Sequence, residues 1–114
     1  MPLLTLETNV SISETSGLVK QLSQTVAETL GKPERYVMVS LRENHNMLFA
    51  GSSDPLAYLE LKSIGLPEER TTEISALLCT LVSGNLGISS DRIYIEFANA
   101  ERHMWGWNKA TFAR

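Results

Sequence analysis

The chain has 114 residues, enough for one domain and too few for two. Hydrophobic residues are 43% and charged residues 20%, the balance of a folded globular chain, while a net charge of −3 and a pI of about 5.3 exclude a broadly basic nucleic-acid footprint. A lone cysteine, Cys79, excludes an internal disulfide and a zinc site built on several thiolates, and no apolar run approaches the roughly 20 residues of a membrane span.

Residues Pro2 to Thr8 set Leu4 and Leu6 against Thr5 and Glu7, the period of a strand. The Met-Pro-Leu-Leu-Thr-Leu-Glu start has no basic segment leading into a long apolar one, so no Sec-type leader and a cytoplasmic location are expected. From Leu18 to Leu30 apolar residues recur at helical spacing; Gly31 then suits a C-cap and Pro33 bars continuation. Tyr36 to Leu41 is a largely apolar second strand. Leu56 to Ile64 is a third, with Leu59 and Leu61 opposing Glu60 and Lys62. Pro67, Glu68 and Glu69 mark the start of a helix whose stripe is Ile74, Leu77, Leu78, Leu81, Val82 and Leu86. Ile93 to Phe97 is the returning strand.

The second half thus repeats the first, over about residues 2–50 and 56–107 of a single domain spanning 1–114. Gly-Lys-Pro-Glu-Arg-Tyr-Val at 31–37 parallels Gly-Ile-Ser-Ser-Asp-Arg-Ile at 87–93, with Arg35 and Arg92 separated by 57 residues, half the chain. Two strand-helix-strand units predict an α+β two-layer sandwich with both helices on one sheet face and parallel strands within each unit. The opposite face would be bare. If it carries apolar residues such as Leu3, Val37 and Val39, a homo-oligomer is the natural cover.

Pro2 is the first candidate for chemistry. Removal of Met1 would leave a secondary amine, whose pKa near 8 falls further with burial or a nearby cation, so that it is neutral at pH 7 and able to move a proton beside a carbonyl. Read alone, Pro2 is first an edge-strand start, and Lys32 first a helix-end cation facing the dipole and only second a carboxylate holder. Tyr94 and Glu96 share one face of the last strand, opposite Ile93, Ile95 and Phe97, as solvated residues or part of a pocket. Trp105, Trp107 and Phe112 suit an aromatic wall or a docked C-terminal segment. Cys79, within an apolar run, reads as a buried inert thiol, and His45 and His103 have no spaced partners for a metal.

Taken together, Met1-Pro2, Thr8-Asn9-Val10, Gly31-Lys32-Pro33 with Tyr36, Gly51-Ser52-Ser53-Asp54-Pro55, Ser63-Ile64-Gly65, Ser90-Asp91-Arg92-Ile93-Tyr94-Ile95, Gly106-Trp107-Asn108 and Thr111-Phe112-Ala113 form a specific set. Through them the whole chain resembles the macrophage migration inhibitory factor family, which includes D-dopachrome tautomerase and belongs to the tautomerase superfamily. The resemblance implies a homotrimer of duplicated units around a central channel, with three pockets at subunit interfaces and no cofactor or metal. It implies that Pro2 is the general acid and base, that Lys32 holds the substrate carboxylate, and that Ile64 offers a backbone N–H. Tyr36, Trp107 and Phe112 would line the pocket, with Tyr94 arriving from the adjacent subunit. The implied reaction is keto–enol tautomerisation of small aromatic 2-oxo acids of the phenylpyruvate type, with D-dopachrome derivatives as reporters and neither nucleic acid nor membrane as partner.

The chain departs from the family pattern at several positions. Glu96 stands where the cytokine members have an asparagine; an ionised glutamate accepts hydrogen bonds but cannot donate them, so altered preference is expected. Trp105 replaces a smaller aliphatic residue at the rim. Leu56 and Leu59 occupy the places of a Cys-x-x-Cys pair, which excludes thiol oxidoreductase chemistry through that motif. Asn44 and the region around Ile12 lack the charges linked to chemokine-receptor mimicry, which weighs against receptor binding. A cytokine-like signalling protein with a vestigial pocket is the alternative to an enzyme, and a small-molecule binding module is a third reading.

Overall fold

The computed structural model describes residues 1–113. Strand β1 (Leu3–Thr8) leads through helix α1 (Thr15–Leu30) to β2 (Met38–Glu43); β3 (Ala57–Ile64) leads through α2 (Thr71–Leu86) to β4 (Ile93–Ala100). A small hairpin, β5 (Gly106–Trp107) and β6 (Ala110–Thr111), follows. The four long strands form one sheet in the order β2-β1-β3-β4. Each β-α-β unit supplies a parallel pair, and the antiparallel pairing of β1 with β3 joins the units. Both helices pack on one face, as the repeated pattern predicts, through Leu18, Leu22 and Val26 of α1 and Ile74, Leu78 and Val82 of α2.

Alternation in the strands supplies the other half of the core. Leu4 and Leu6 lie opposite Leu61 and Leu59, and all four are at most 1% exposed. Val37, Val39 and Leu41 turn to this same face and pack against the cluster. This corrects the expectation of an apolar bare face, because the register consumes those residues in the core. The open face instead carries Thr5, Glu7, Ser40, Arg42, Tyr58, Glu60, Lys62, Tyr94 and Glu96, with Leu3 and Met38 near one end. Its charges are interspersed: Lys62 lies 3.4 Å from Glu60, Arg42 lies 4.0 Å from Glu7, and the Asn44 amide donates to Glu7 at 2.9 Å. A partner for this face would have to match polar groups.

Local boundaries differ from the expected ones for physical reasons. Tyr36 lies in a 3₁₀ turn (Glu34–Tyr36) rather than in a strand, and Glu68–Arg70 forms another such turn ahead of α2. Strand β4 continues past Phe97 to Ala100, carried by the ladder to Lys62, Ser63 and Ile64. Leu77 is 37% exposed, outside the buried stripe, because α2 buries Ile74, Leu78 and Val82 at i, i+4 and i+8. Cys79 is half-buried at the edge of the core rather than enclosed by it. This packing predicts a sharp contrast between a strand residue and a helix residue. Leu59→Ala removes a fully buried side chain and should cost about 2–5 kcal/mol of unfolding free energy, whereas Leu77→Ala should cost under about 1 kcal/mol. Denaturant unfolding at one fixed protein concentration measures both, and equal losses would contradict this packing.

Candidate active site

Both ends of the chain meet beside the start of β1. The Pro2 carbonyl accepts from the Met38 N–H at 3.0 Å, which extends the β1–β2 pairing to the second residue and leaves the Pro2 ring almost wholly buried. The terminal amine, carried here by Met1, donates to the Tyr36 carbonyl at 2.8 Å. Its pKa is lowered from the ordinary 8.0, first by burial and second by the positive charge of Lys32.

Lys32 is placed by the end of α1. Gly31 adopts a left-handed conformation (φ 63°), its N–H reaches the Glu28 carbonyl at 3.3 Å, and the Lys32 N–H reaches the Ala27 carbonyl at 3.0 Å. This doubly bonded helix end favours glycine at the turn and fixes where the lysine leaves the helix. Pro33 then directs the chain into the 3₁₀ turn that carries Tyr36.

The far wall comes from the C-terminal hairpin. Asn108 and Lys109, at φ 52° and 65°, form the two-residue turn between β5 and β6, with the backbone twist that suits adjoining strands. The turn stacks Trp107 on Phe112, ring centroids 5.8 Å apart and planes 10° from parallel. The Tyr36 ring meets both edge-on, at 5.7 Å from Trp107 and 6.2 Å from Phe112. The result is a cleft of about 280 Å³ lined by Pro2, Leu3, Arg35, Tyr36, Val37, Met38, Trp105, Trp107 and Phe112. Trp105 belongs to this wall and to a neighbouring depression of about 430 Å³ over Leu3, Lys62 and Ala98.

The expected site residues fall into two groups. Pro2, Tyr36, Trp105, Trp107 and Phe112 come together in the cleft, with Lys32 close enough to act on the terminal amine through space. Ile64 is 4% exposed at the end of β3, which the β1–β3 register runs alongside the N-terminus, yet it does not line the cleft. Tyr94 and Glu96 lie elsewhere in the subunit, on the open sheet face. Tyr94 is 64% exposed with its ring 4.6 Å from Phe49, and Glu96 accepts from the Tyr58 hydroxyl at 2.7 Å.

Tyr58 is an addition that sequence reading missed. Its hydroxyl lies 3.0 Å from Glu60 as well, and these two carboxylates, Glu96 foremost, push its pKa well above the ordinary phenol value. Alternation placed Tyr58 and Glu60 on one face; only the β3–β4 register, with Tyr58 opposite Tyr94 and Glu60 opposite Glu96, brings them to the last strand. Arg35 is the other addition; the sequence pairs it with Arg92, but the left-handed Gly31 and Gly87 and the two 3₁₀ turns align it with Asp91 and align Arg92 with Tyr36.

These features define a class: a four-stranded α+β sheet, covered by two helices on one face, that brings an N-terminal amine into an aromatic cleft beside a lysine. The family model for macrophage migration inhibitory factor (MIF) matches residues 1–113, and the chain belongs to that family, a member of the tautomerase superfamily. It is 41% identical to the macrophage migration inhibitory factor of Meriones unguiculatus over 99% of this chain and all of that one. Identity to the homolog of Brugia malayi is 39%, over 98% of this chain and 99% of the other. Among solved structures, the homologue from Prochlorococcus marinus superposes with a TM-score of 0.92 at 44% identity, covering 97% of this chain and 99% of that chain. The protein of Trichinella spiralis gives 0.91 at 35%, covering 96% and 99%.

An amine whose pKa falls on folding binds fewer protons in the native than in the unfolded chain between its lowered value and 8.0, so its burial makes stability rise with pH across that window. Lys32→Gln removes the smaller of the two causes. The terminal amine of the chain carrying Met1 should therefore titrate higher than in the parent but still below 8.0. The pH dependence of amine-selective acylation reads this value, and an unchanged value would show that Lys32 does not act on the amine.

Proposed function

We propose that this protein is a cofactor-independent keto–enol tautomerase of small aromatic 2-oxo acids of the phenylpyruvate type, working in the cytoplasm as a homotrimer of single-domain subunits. The observation that carries the reading is the terminal amine: it sits in an aromatic cleft with its pKa lowered by burial and by Lys32. Loss of Met1 transfers the amine to Pro2, at the edge of the same cleft and subject to the same two influences. A neutral secondary amine then takes a proton from the carbon beside the substrate carbonyl, and the resulting ammonium returns it to the other site, converting keto and enol forms without metal or redox chemistry.

In this reading each remaining residue has a role. Lys32 attracts the substrate carboxylate, the Ile64 backbone N–H meets a substrate oxygen, and Tyr36, Trp107 and Phe112 flank the substrate ring, with Trp105 narrowing the rim. Tyr94 and Glu96, exposed on the open face of their own subunit, serve the cleft of a neighbour, which is why the reading needs the trimer. Because Glu96 holds the Tyr58 proton rather than offering one, it accepts a bond from a phenolic hydroxyl on the substrate but gives none. The signalling alternative rests on the names of relatives; here Asn44 is engaged with Glu7, and the Ile12 N–H donates to Glu43 at 2.8 Å.

The decisive experiment is ketonisation of enol-phenylpyruvate by Met-processed protein, beside Pro2→Gly and a variant with one extra N-terminal residue. Both changes should lower kcat/KM by about 100-fold or more, the usual worth of a positioned general base. Equal activity in all three would remove the terminal amine from the mechanism. Glu96→Asn should change the ratio of rates for 4-hydroxyphenylpyruvate and phenylpyruvate by roughly threefold or more, the scale of one hydrogen bond. An unchanged ratio would place Glu96 outside the substrate's reach.

A further inference from the structure

We propose that Arg35 is a substrate-binding cation of the cleft, contacting the carboxylate of an aromatic acid together with Lys32; the inference rests on the reading of this cleft as the substrate site. Arg35 is the one residue with a charged side chain among those lining the cleft, and no carboxylate lines it. Its guanidinium lies 4.8 Å from the centroid of the Tyr36 ring, the ring that meets Trp107 and Phe112 edge-on. A guanidinium stacked on an aromatic wall keeps its N–H groups directed along its own plane, where a planar carboxylate accepts two of them in parallel.

The internal repeat supplies the comparison that gives this placement meaning. Arg92 lies in the equivalent 3₁₀ turn of the second unit, one place further along it, since the left-handed Gly31 and Gly87 align Arg92 with Tyr36 and Arg35 with Asp91; its N–H groups are spent on the chain and reach the carbonyls of Pro55, Phe49, Ser52 and Asp54 at 3.0–3.1 Å. Arg35 occupies the equivalent turn before β2 but makes no hydrogen bond or ion pair among the described residues. Its neighbour Glu34 is turned away, accepting from the Ser23 hydroxyl at 2.9 Å. One unit therefore uses its arginine to fasten a loop, and the other leaves five donors at the mouth of an aromatic cleft. An anion fits there, and a flat aromatic acid fits the cation and the rings together.

The test compares phenylpyruvate with its methyl ester, which keeps the ring and removes the charge. Binding is followed by tryptophan fluorescence and turnover by ketonisation, in parent, Arg35→Gln and Arg35→Lys proteins. For the acid, Arg35→Gln should raise Kd and KM about tenfold, the worth of one charge-assisted contact, with kcat within about twofold; the ester should be unaffected, and Arg35→Lys should recover part of the loss. Unchanged affinity for the acid would overturn the proposal. So would equal weakening of acid and ester, which would mean that Arg35 merely supports the Tyr36 ring. Acid binding that depends on Arg35 in a protein without turnover would uphold the cation and reject the tautomerase reading, so the two fail separately.

Discussion

The pairing of β1 with β3 is the constraint on which the molecule depends. Each β-α-β unit has two strands and one helix, too little to enclose an apolar face, and the antiparallel contact between first strands merges the two half-cores. Leu4, Leu6, Leu59 and Leu61 meet across that seam under both helices, with Thr8 completing it by donating its hydroxyl to the Leu56 carbonyl at 2.6 Å. A shift of one residue in this register would turn the leucines outward and bring Thr5, Glu7, Glu60 and Lys62 into the core, so no neighbouring register competes.

That seam also accounts for the site. A strand hydrogen-bonded on both sides cannot fray at its start as a terminal strand usually does. With β2 on one flank and β3 on the other, the terminal amine is held in one place, and burial and Lys32 then act on it at a fixed distance. The cleft needs only short-range features beyond this: a helix end that releases Lys32, a turn that sets Tyr36, and a two-residue hairpin that stacks Trp107 on Phe112. Preorganisation of this kind is what proton transfer at carbon requires, since a base that wanders loses the alignment that makes it effective.

Much of this was legible in the sequence because it is local. Alternation of Leu4 and Leu6 with Thr5 and Glu7, the 3.6-residue stripe of α1, and Gly31 before Pro33 each specify structure within a dozen residues. What was not legible is relational. Alternation states that Val37 and Val39 share a side and not which side it is; the register turns them toward the core rather than the open face. Alternation puts Glu60 opposite the core leucines of β3 and says nothing of what it meets; only the parallel register with β4 brings it and Tyr58 to Glu96. Leu77 belongs to the apolar stripe by spacing, but α2 centres its contact on Ile74, Leu78 and Val82 with Leu81 and Leu86 at the flank, and Leu77 falls outside it.

The two arginines show how a duplicated architecture comes to hold one site rather than two. Both units end their helices on a left-handed glycine, continue through a 3₁₀ turn carrying an arginine, and enter a strand. In the second unit the segment from Phe49 to Asp54 folds back over that turn and supplies four carbonyls, so Arg92 is saturated and its surroundings are closed. Beside the first unit's turn stand the N-terminus and the C-terminal hairpin, which bring an amine and aromatic rings but no carboxylate to the cleft that Arg35 lines. The asymmetry arises from what packs against each turn, and it leaves Arg35, unpaired among the described residues, in the cleft of an amine whose pKa is lowered by burial and by Lys32. A cation without an ion-pair partner, an amine whose pKa is lowered and a flat apolar wall are three demands that one aromatic carboxylic acid answers together.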